Sequence, residues 1–166
     1  MAPKNIIIEN ARIGFRNFSG AAGRFNAAGV RNFCIFLEDK LAKVLEEDGW
    51  NVRWFPQKEE DDAPQAYMQV AVSFDHVPPK IVQITRGGKT QLGVESIKQL
   101  DTAQFSKIDL AINPYSWEVN GKTGIKAYLK SLYVTLAEDE LEAKYADYAD
   151  RPDSAYNAPP SKDDGN

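Results

Sequence analysis

Cysteine and histidine are almost missing from this chain, and each shortage closes off chemistry. Cys34 is the one cysteine among 166 residues, so no internal disulfide forms and a reducing compartment fits the sequence. Set inside the apolar run Phe33, Ile35, Phe36 and Leu37, it reads as a small core residue rather than a nucleophile. His76 is the one histidine, and without a Cys/His cluster there is no zinc site. A serine-type triad would have to use His76, which lies beside Val77, Pro78 and Pro79 with no nucleophile motif near it. Long apolar runs are lacking too. None approaches the roughly 18 residues of a membrane span, and the N-terminal stretch has neither the apolar core nor the cleavage site of a signal peptide. The expectation is a soluble, cytoplasmic protein that meets no membrane.

Other motifs fail for want of one or two residues. Gly88-Lys89-Thr90 follows an expected strand, as in a phosphate loop, but the glycine required five residues before Gly88 is Gln83, so the anion nest cannot form. The acids at 59–62, EEDD, lack the glycine and interleaved spacing of a calcium loop. Magnesium-dependent nuclease chemistry needs gathered carboxylates. The best candidates, Asp109, Glu118 and Lys122, do not converge, because Glu118 falls on the opposite side of its strand from Lys122. No catalytic residue, metal or cofactor is expected.

What is present is one domain's worth of chain, 43% hydrophobic, with a charge asymmetry hidden in its net charge. Of 24 acidic and 20 basic residues, 9 and 3 fall from residue 137 on, leaving 15 and 17 before it. An acidic total ordinarily argues against a nucleic-acid partner, but here the acid is mostly in the tail. The expected division is a folded domain at 1–136 and an acidic tail at 137–166. The tail starts with helical potential and, from residue 150, is polar, proline-containing and aperiodic, hence disordered.

The informative stretch is 113–136, NPYSWEVNGKTGIKAYLKSLYVTL. Asn120-Gly121 is a strong hairpin signal, since both residues tolerate the positive φ of a type I′ turn. That turn sets Val119 opposite Lys122, Trp117 opposite Gly124, Tyr115 opposite Lys126 and Asn113 opposite Tyr128. A four-residue loop keeps the same faces; a five-residue loop would turn Tyr115 and Trp117 inward. One face then carries Ile108, Leu110, Ile112, Ile125, Ala127 and Leu129. The other shows Tyr115, Trp117, Tyr128, Lys122, Lys126 and Lys130. Rings on which unpaired bases stack, alternating with cations for phosphates, suit single-stranded nucleic acid; aromatics covering a hydrophobic layer beside protective edge lysines are the bland alternative.

Ile112-Asn113-Pro114-Tyr115-x-Trp117, Gly124-Ile125-Lys126, Leu129-x-Ser131-Leu132 and Val134-x-Leu136 together resemble the last hairpin of the single-stranded-DNA-binding proteins of short-tailed phages, over about 25 residues. The resemblance implies an OB-fold closed by this hairpin and followed by an acidic tail. It implies a role in phage DNA replication or recombination in the host cytoplasm, with replication proteins as tail partners. Relatives often form dimers, so a homodimer is among the expected states.

The rest of the chain supplies the strands. Residues 4–18 read as one long strand with Ala11, Ile13 and Phe15 inward and Arg12, Gly14, Arg16 and Phe18 outward. Residues 19–30, SGAAGRFNAAGV, read as a mobile loop offering Arg24 and Phe25. A central strand at 31–37 precedes a helix at 38–48 with a Leu41, Val44 and Leu45 stripe, stopped by Gly49 with Trp50 in hydrophobic contact. Strands at 51–55, 67–74 and 81–85 follow, then a turn with Arg86 and Lys89, and a helical turn or two at 94–100. The fold expected is mainly β: an OB-fold-like, partly open antiparallel β-barrel with one or two short helices and a disordered acidic C-terminal tail. Its helix falls between the second and third strands, where an ordinary OB-fold has it between the third and fourth.

The function expected is binding of single-stranded DNA with little sequence preference. Stacking falls to Tyr115, Trp117 and Tyr128, with Phe18 and Phe25 behind them. Phosphate contacts fall to Arg12, Arg16, Arg24, Lys122, Lys126 and Lys130, then Arg31, Arg86 and Lys89. The rival is a protein-interaction module using the same aromatic face. A gel shift separates them: a single-stranded oligonucleotide is retarded and a duplex of equal length much less so, whereas the rival predicts no retardation of either.

Overall fold

In a computed structural model of the chain, residues 4–24, 26–57, 59, 63–75 and 77–137 are described. The chain divides into two compact units, residues 1–85 with 89–137 and residues 86–88 with 138–166. The expected tail beyond Ala137 lies outside the described residues, as do Phe25 and His76.

The described residues form nine strands and one helix: β1 (Ile6–Ile8), β2 (Arg12–Asn17), β3 (Arg31–Leu37), α1 (Asp39–Glu47), β4 (Val52–Trp54), β5 (Ala66–Val72), β6 (Lys80–Thr85), β7 (Gly88–Leu92), β8 (Phe105–Val119) and β9 (Lys122–Leu136), with a 3₁₀ turn at Ile97–Asp101 before β8. They form one sheet in the order β1-β8-β9-β5-β3-β2, with β4 added to β5 and β6 added to β9 and β7. The sheet curls without closing, so β1 and β2 end the path. Just past β1, the Ala11 N–H donates to the Ile108 carbonyl at 2.8 Å.

The sheet is mainly but not wholly antiparallel. β5 and β6 both run parallel to β9, because the connection from β5 to β9 carries β6, β7 and β8 and is long enough for a crossover. The expected first strand is broken in two. Asn10 adopts φ 54°, which ends β1, and its N–H donates to Asp109 Oδ1 at 3.0 Å. With that break the helix follows the third strand in chain order.

α1 ends as its sequence demands. Gly49 takes φ 99°, and the N–H groups of Gly49 and Trp50 donate to the carbonyls of Glu46 and Leu45 at 3.1 and 3.0 Å, a Schellman pair that seals the last turn. Trp50 is buried. The helix buries Ala42 and Leu45, while Val44, expected in the apolar stripe, is exposed. The core holds Phe33, Ile35, Met68, Val70, Ile112, Leu132 and Val134; on β5 Met68, Val70 and Val72 alternate inward as expected, and Phe74 is half-buried.

Phe18 is also in this core, fully buried and stacked on Phe33 with centroids 5.2 Å apart, contrary to the outward position expected. The pairing of β2 with β3 slips between Gly14 and Asn17, and Phe15 takes φ 48°. The bulge reverses parity, so Phe15 turns out and Phe18 turns in. The 3₁₀ turn pins this arrangement. Arg16 Nη1 donates to the Leu100 and Ala103 carbonyls at 2.8 and 2.6 Å, and Asp101 accepts the N–H groups of Phe18 and Ser19.

Asp101→Ala is expected to cost about 2–3 kcal/mol, since two part-buried N–H groups lose a charged acceptor. Urea unfolding reads it as a lower midpoint at unchanged slope. Lys107→Ala breaks only the exposed 3.7 Å pair with Asp109 and is expected to cost less than about 1 kcal/mol. Equal effects would remove Asp101 from the anchoring role.

Candidate nucleic-acid interface

The interface starts at the β8–β9 turn. Asn120 and Gly121 take φ 52° and 78°, the signs a type I′ turn requires. Val119 pairs with Lys122, Trp117 with Gly124, Tyr115 with Lys126 and Asn113 with Tyr128, the register a two-residue turn dictates. On the opposite face Ile108, Leu110, Ile112, Ile125, Ala127 and Leu129 are buried. The inner halves of these two 15-residue strands are thus held by the core, and their outer ends stand in solvent.

Tyr115 is 57% and Trp117 38% exposed. The indole lies over its partner glycine so closely that a Cβ at Gly124 would stand 2.5 Å from the ring. The indole is thus packed against the Gly124 backbone while part of its surface stays open to solvent. Tyr115 and Tyr128 meet edge to face, centroids 5.9 Å apart, and Lys126 Nζ lies 5.1 Å from the Tyr128 centroid. Lys122, Lys126 and Lys130 are exposed; Lys130 is the extra residue where pairing jumps from Ala111↔Ser131 to Ile112↔Leu129.

Beside the indole runs an open groove of about 410 Å³. Trp117, Gly124 and Lys126 line one wall, and Asn51, Arg53 and Gln69 the other. A larger hollow of about 840 Å³ behind the hairpin mixes Lys4 with Asp48 and Glu118 and so offers phosphates no net attraction.

The groove leads to a second group of rings. Cross-strand partners share a face, and two rows of partners cross the sheet: Arg12 with Phe36, Tyr67 and Arg53, and Gly14 with Cys34 and Gln69. A third links Asn32 and Ala71 to Tyr128, which joins these rows to the hairpin face. Phe55 stacks on Tyr67 at 4.4 Å and lies 6.1 and 6.2 Å from Phe15 and Phe36. Phe36 repeats the device seen at Trp117, its ring only 2.8 Å from where a Cβ on Gly14 would stand. The Arg12 guanidinium sits 5.6 Å from the Phe36 centroid and donates to Gln65 Oε1 at 3.2 Å. Burial pushes the Cys34 thiol up from its ordinary pKa, so it stays neutral and adds no negative charge between Gly14 and Gln69.

The remaining sequence candidates divide. Arg12 shares the face. Arg16 is turned to the 3₁₀ carbonyls and to Phe105, 5.1 Å from that ring, so its guanidinium serves the fold. Phe18, sealed in the core, offers no ring. Arg31 packs 5.9 Å from the Phe74 centroid, with Nη1 3.4 Å from the Gly29 carbonyl. Arg24 is exposed in a loop that is tied rather than loose. Asn17 bonds Ala21 through both amide ends, and the Asn26 amide lies within 3.1 Å of the Ala21, Ala27 and Val30 carbonyls. Lys89 is exposed on β7, and Arg86, also exposed, belongs to the other unit. Sequence reading missed Phe15, Phe36, Phe55, Arg53 and Gln69 as members of this face; the usable signal was Gly14, a strand glycine that admits a close-lying ring.

Comparison with curated protein sequences finds no match. Among solved structures, the single-stranded DNA-binding protein from bacteriophage Enc34 in complex with ssDNA is similar at TM-score 0.53 and 11% identity, over 81% of this chain and 88% of that one. The Enc34 protein in another structure gives 0.52 and 11%, over 92% and 90%. These likenesses bear out the mainly β, open OB-like fold. The T7 protein gp2.5, also single-stranded-DNA-binding, gives only 0.39 at 15% identity, over 90% and 96%. The sequence itself matches the family model described as "Putative phage ssDNA-binding domain" over residues 1–163. The chain therefore belongs to the phage single-stranded-DNA-binding domain family.

Proposed function

We propose that this protein binds single-stranded DNA with little sequence preference during phage DNA replication and recombination, as a non-enzymatic coat in the host cytoplasm. The reading rests above all on one arrangement: Trp117 packed against Gly124, next to the Tyr115–Lys126 pair, on a strand face open to solvent. A base stacking on the free indole face gains contact that every base can supply, which makes binding tolerant of sequence. Lys126 stands where the backbone linking two stacked bases must pass, and Lys122 and Lys130 continue the cation line along β9.

Tyr115, Trp117 and Tyr128 are the proposed stacking residues. Lys122, Lys126, Lys130 and Arg12 are the proposed phosphate contacts, with Arg24, Arg31, Arg86 and Lys89 as peripheral ones. Phage replication proteins are the proposed partners of the acidic tail, and a homodimer the proposed assembly. No helix of the described residues is long and apolar enough to cross a membrane.

Trp117→Ala is expected to weaken oligo-dT binding by about 1–3 kcal/mol and to abolish most of the fluorescence quenching that accompanies it. An unaltered affinity in a folded variant would remove Trp117 from the site. Lys126→Ala is expected to flatten the slope of log K against log salt by about 0.7, the share of one phosphate contact on a single strand; an unchanged slope would show that Lys126 meets no phosphate.

A further inference from the structure

Phe15 is placed at odds with both local rules that govern it. A bulky side chain rarely adopts positive φ, yet Phe15 has φ 48°. A phenylalanine in an alternating strand ordinarily faces the core, yet this ring is 66% exposed. Bulges that re-aim a side chain, and strained backbone, both concentrate at functional sites. Here the bulge is held from outside: Arg16 and the N–H groups of Phe18 and Ser19 are bound to the 3₁₀ segment, so the strain is maintained by contacts other than those of the ring.

The exposed ring does not stand alone. It packs edge-on against Phe36 at 6.4 Å and against Phe55 at 6.1 Å, with Arg12 and Arg53 as the cations on the flanking row. A patch that merely shielded the sheet would bury its uppermost ring, but this one leaves it in water. Gln69 and Arg53, neighbours of this group on β5 and β4, also line the groove that Trp117 and Lys126 bound on the other side.

We propose that Phe15, with Phe36 and Phe55 beneath it, is a second base-stacking platform for the same DNA strand, reached by crossing the sheet from Trp117 through the Lys126, Gln69 and Arg53 groove. The inference rests on the function proposed above and extends it to where the strand goes. From β8 to β2 the path crosses β9, β5 and β3, four interstrand spacings, or roughly 19 Å. A very short oligonucleotide held by Trp117 therefore cannot touch Phe15, whereas a longer one can reach it. Contact with the second platform is thus a matter of length.

The test compares binding of oligo-dT of about three and about twelve nucleotides, below and within the span of ordinary single-domain sites. Phe15→Ala is expected to weaken the longer oligonucleotide at least about fivefold and leave the shorter one unchanged; Phe15→Tyr keeps a flat ring and retains affinity. Trp117→Ala weakens both. Phe15→Trp in a Trp117→Phe background supplies an independent signal that does not depend on the alanine variant's folding, because the new indole is quenched by the longer oligonucleotide alone. A folded Phe15→Ala protein that binds the longer strand like the wild type, or an indole at position 15 unquenched while that strand is bound, overturns the second platform. Failure of the wild type to bind either oligonucleotide overturns the proposed function instead.

Discussion

A ring packed against a glycine is the contact on which the interface depends. In a regular sheet each cross-strand partner carries a Cβ that keeps a neighbouring ring upright; at Gly124 there is none, and the Trp117 indole settles onto the backbone. A strand glycine ordinarily weakens the sheet, and the ring that covers it restores packing. The outcome is a large aromatic group packed against backbone and still exposed in part. Phe36 also lies close against a strand glycine, Gly14, although its own cross-strand partner is Arg12. Neither ring could sit so close if the glycine bore a methyl group.

That contact depends on register, and register depends on a turn of two residues. Asn120 and Gly121 accept positive φ, so β9 returns beside β8 with Gly124 under Trp117 rather than beside it. The inner ends of both strands are clamped by buried Ile108, Leu110, Leu132 and Val134. A scaffold held at one end and bare at the other is suited to presenting side chains in fixed positions. The cations then need no special arrangement, since Lys122 and Lys126 follow the same alternation that turns the rings outward.

The hairpin was legible because everything that determines it is local: the turn, the alternation and the glycine all lie between residues 113 and 136. Gly49 closing α1 was legible for the same reason. The parity of β2 was not. Alternation alone points Phe15 inward and Phe18 outward, and the reversal is enforced by Asp101 and the Leu100 and Ala103 carbonyls, more than 80 residues away in sequence. The side-chain bonds of Asn17 and Asn26 to carbonyls of the loop at 19–30 were not legible either. The parallel pairings of β9 were equally invisible, since no short segment encodes which strands a long crossover brings together.

Electrostatics joins the two ends of the face. Lys126 and Arg53 line the groove, Arg12 flanks the far rings, and the one thiol between them is held neutral by burial, so a phosphate chain meets attraction along the way. The most direct measurement of the central claim is an NMR titration of the full chain with oligo-dT, following the indole N–H of Trp117 and the amides of Tyr115, Gly124 and Lys126. The account predicts that these resonances shift together and first, while those of α1 stay in place. Shifts confined to α1 or the back of the hairpin, with the Trp117 indole unmoved at saturation, would contradict it.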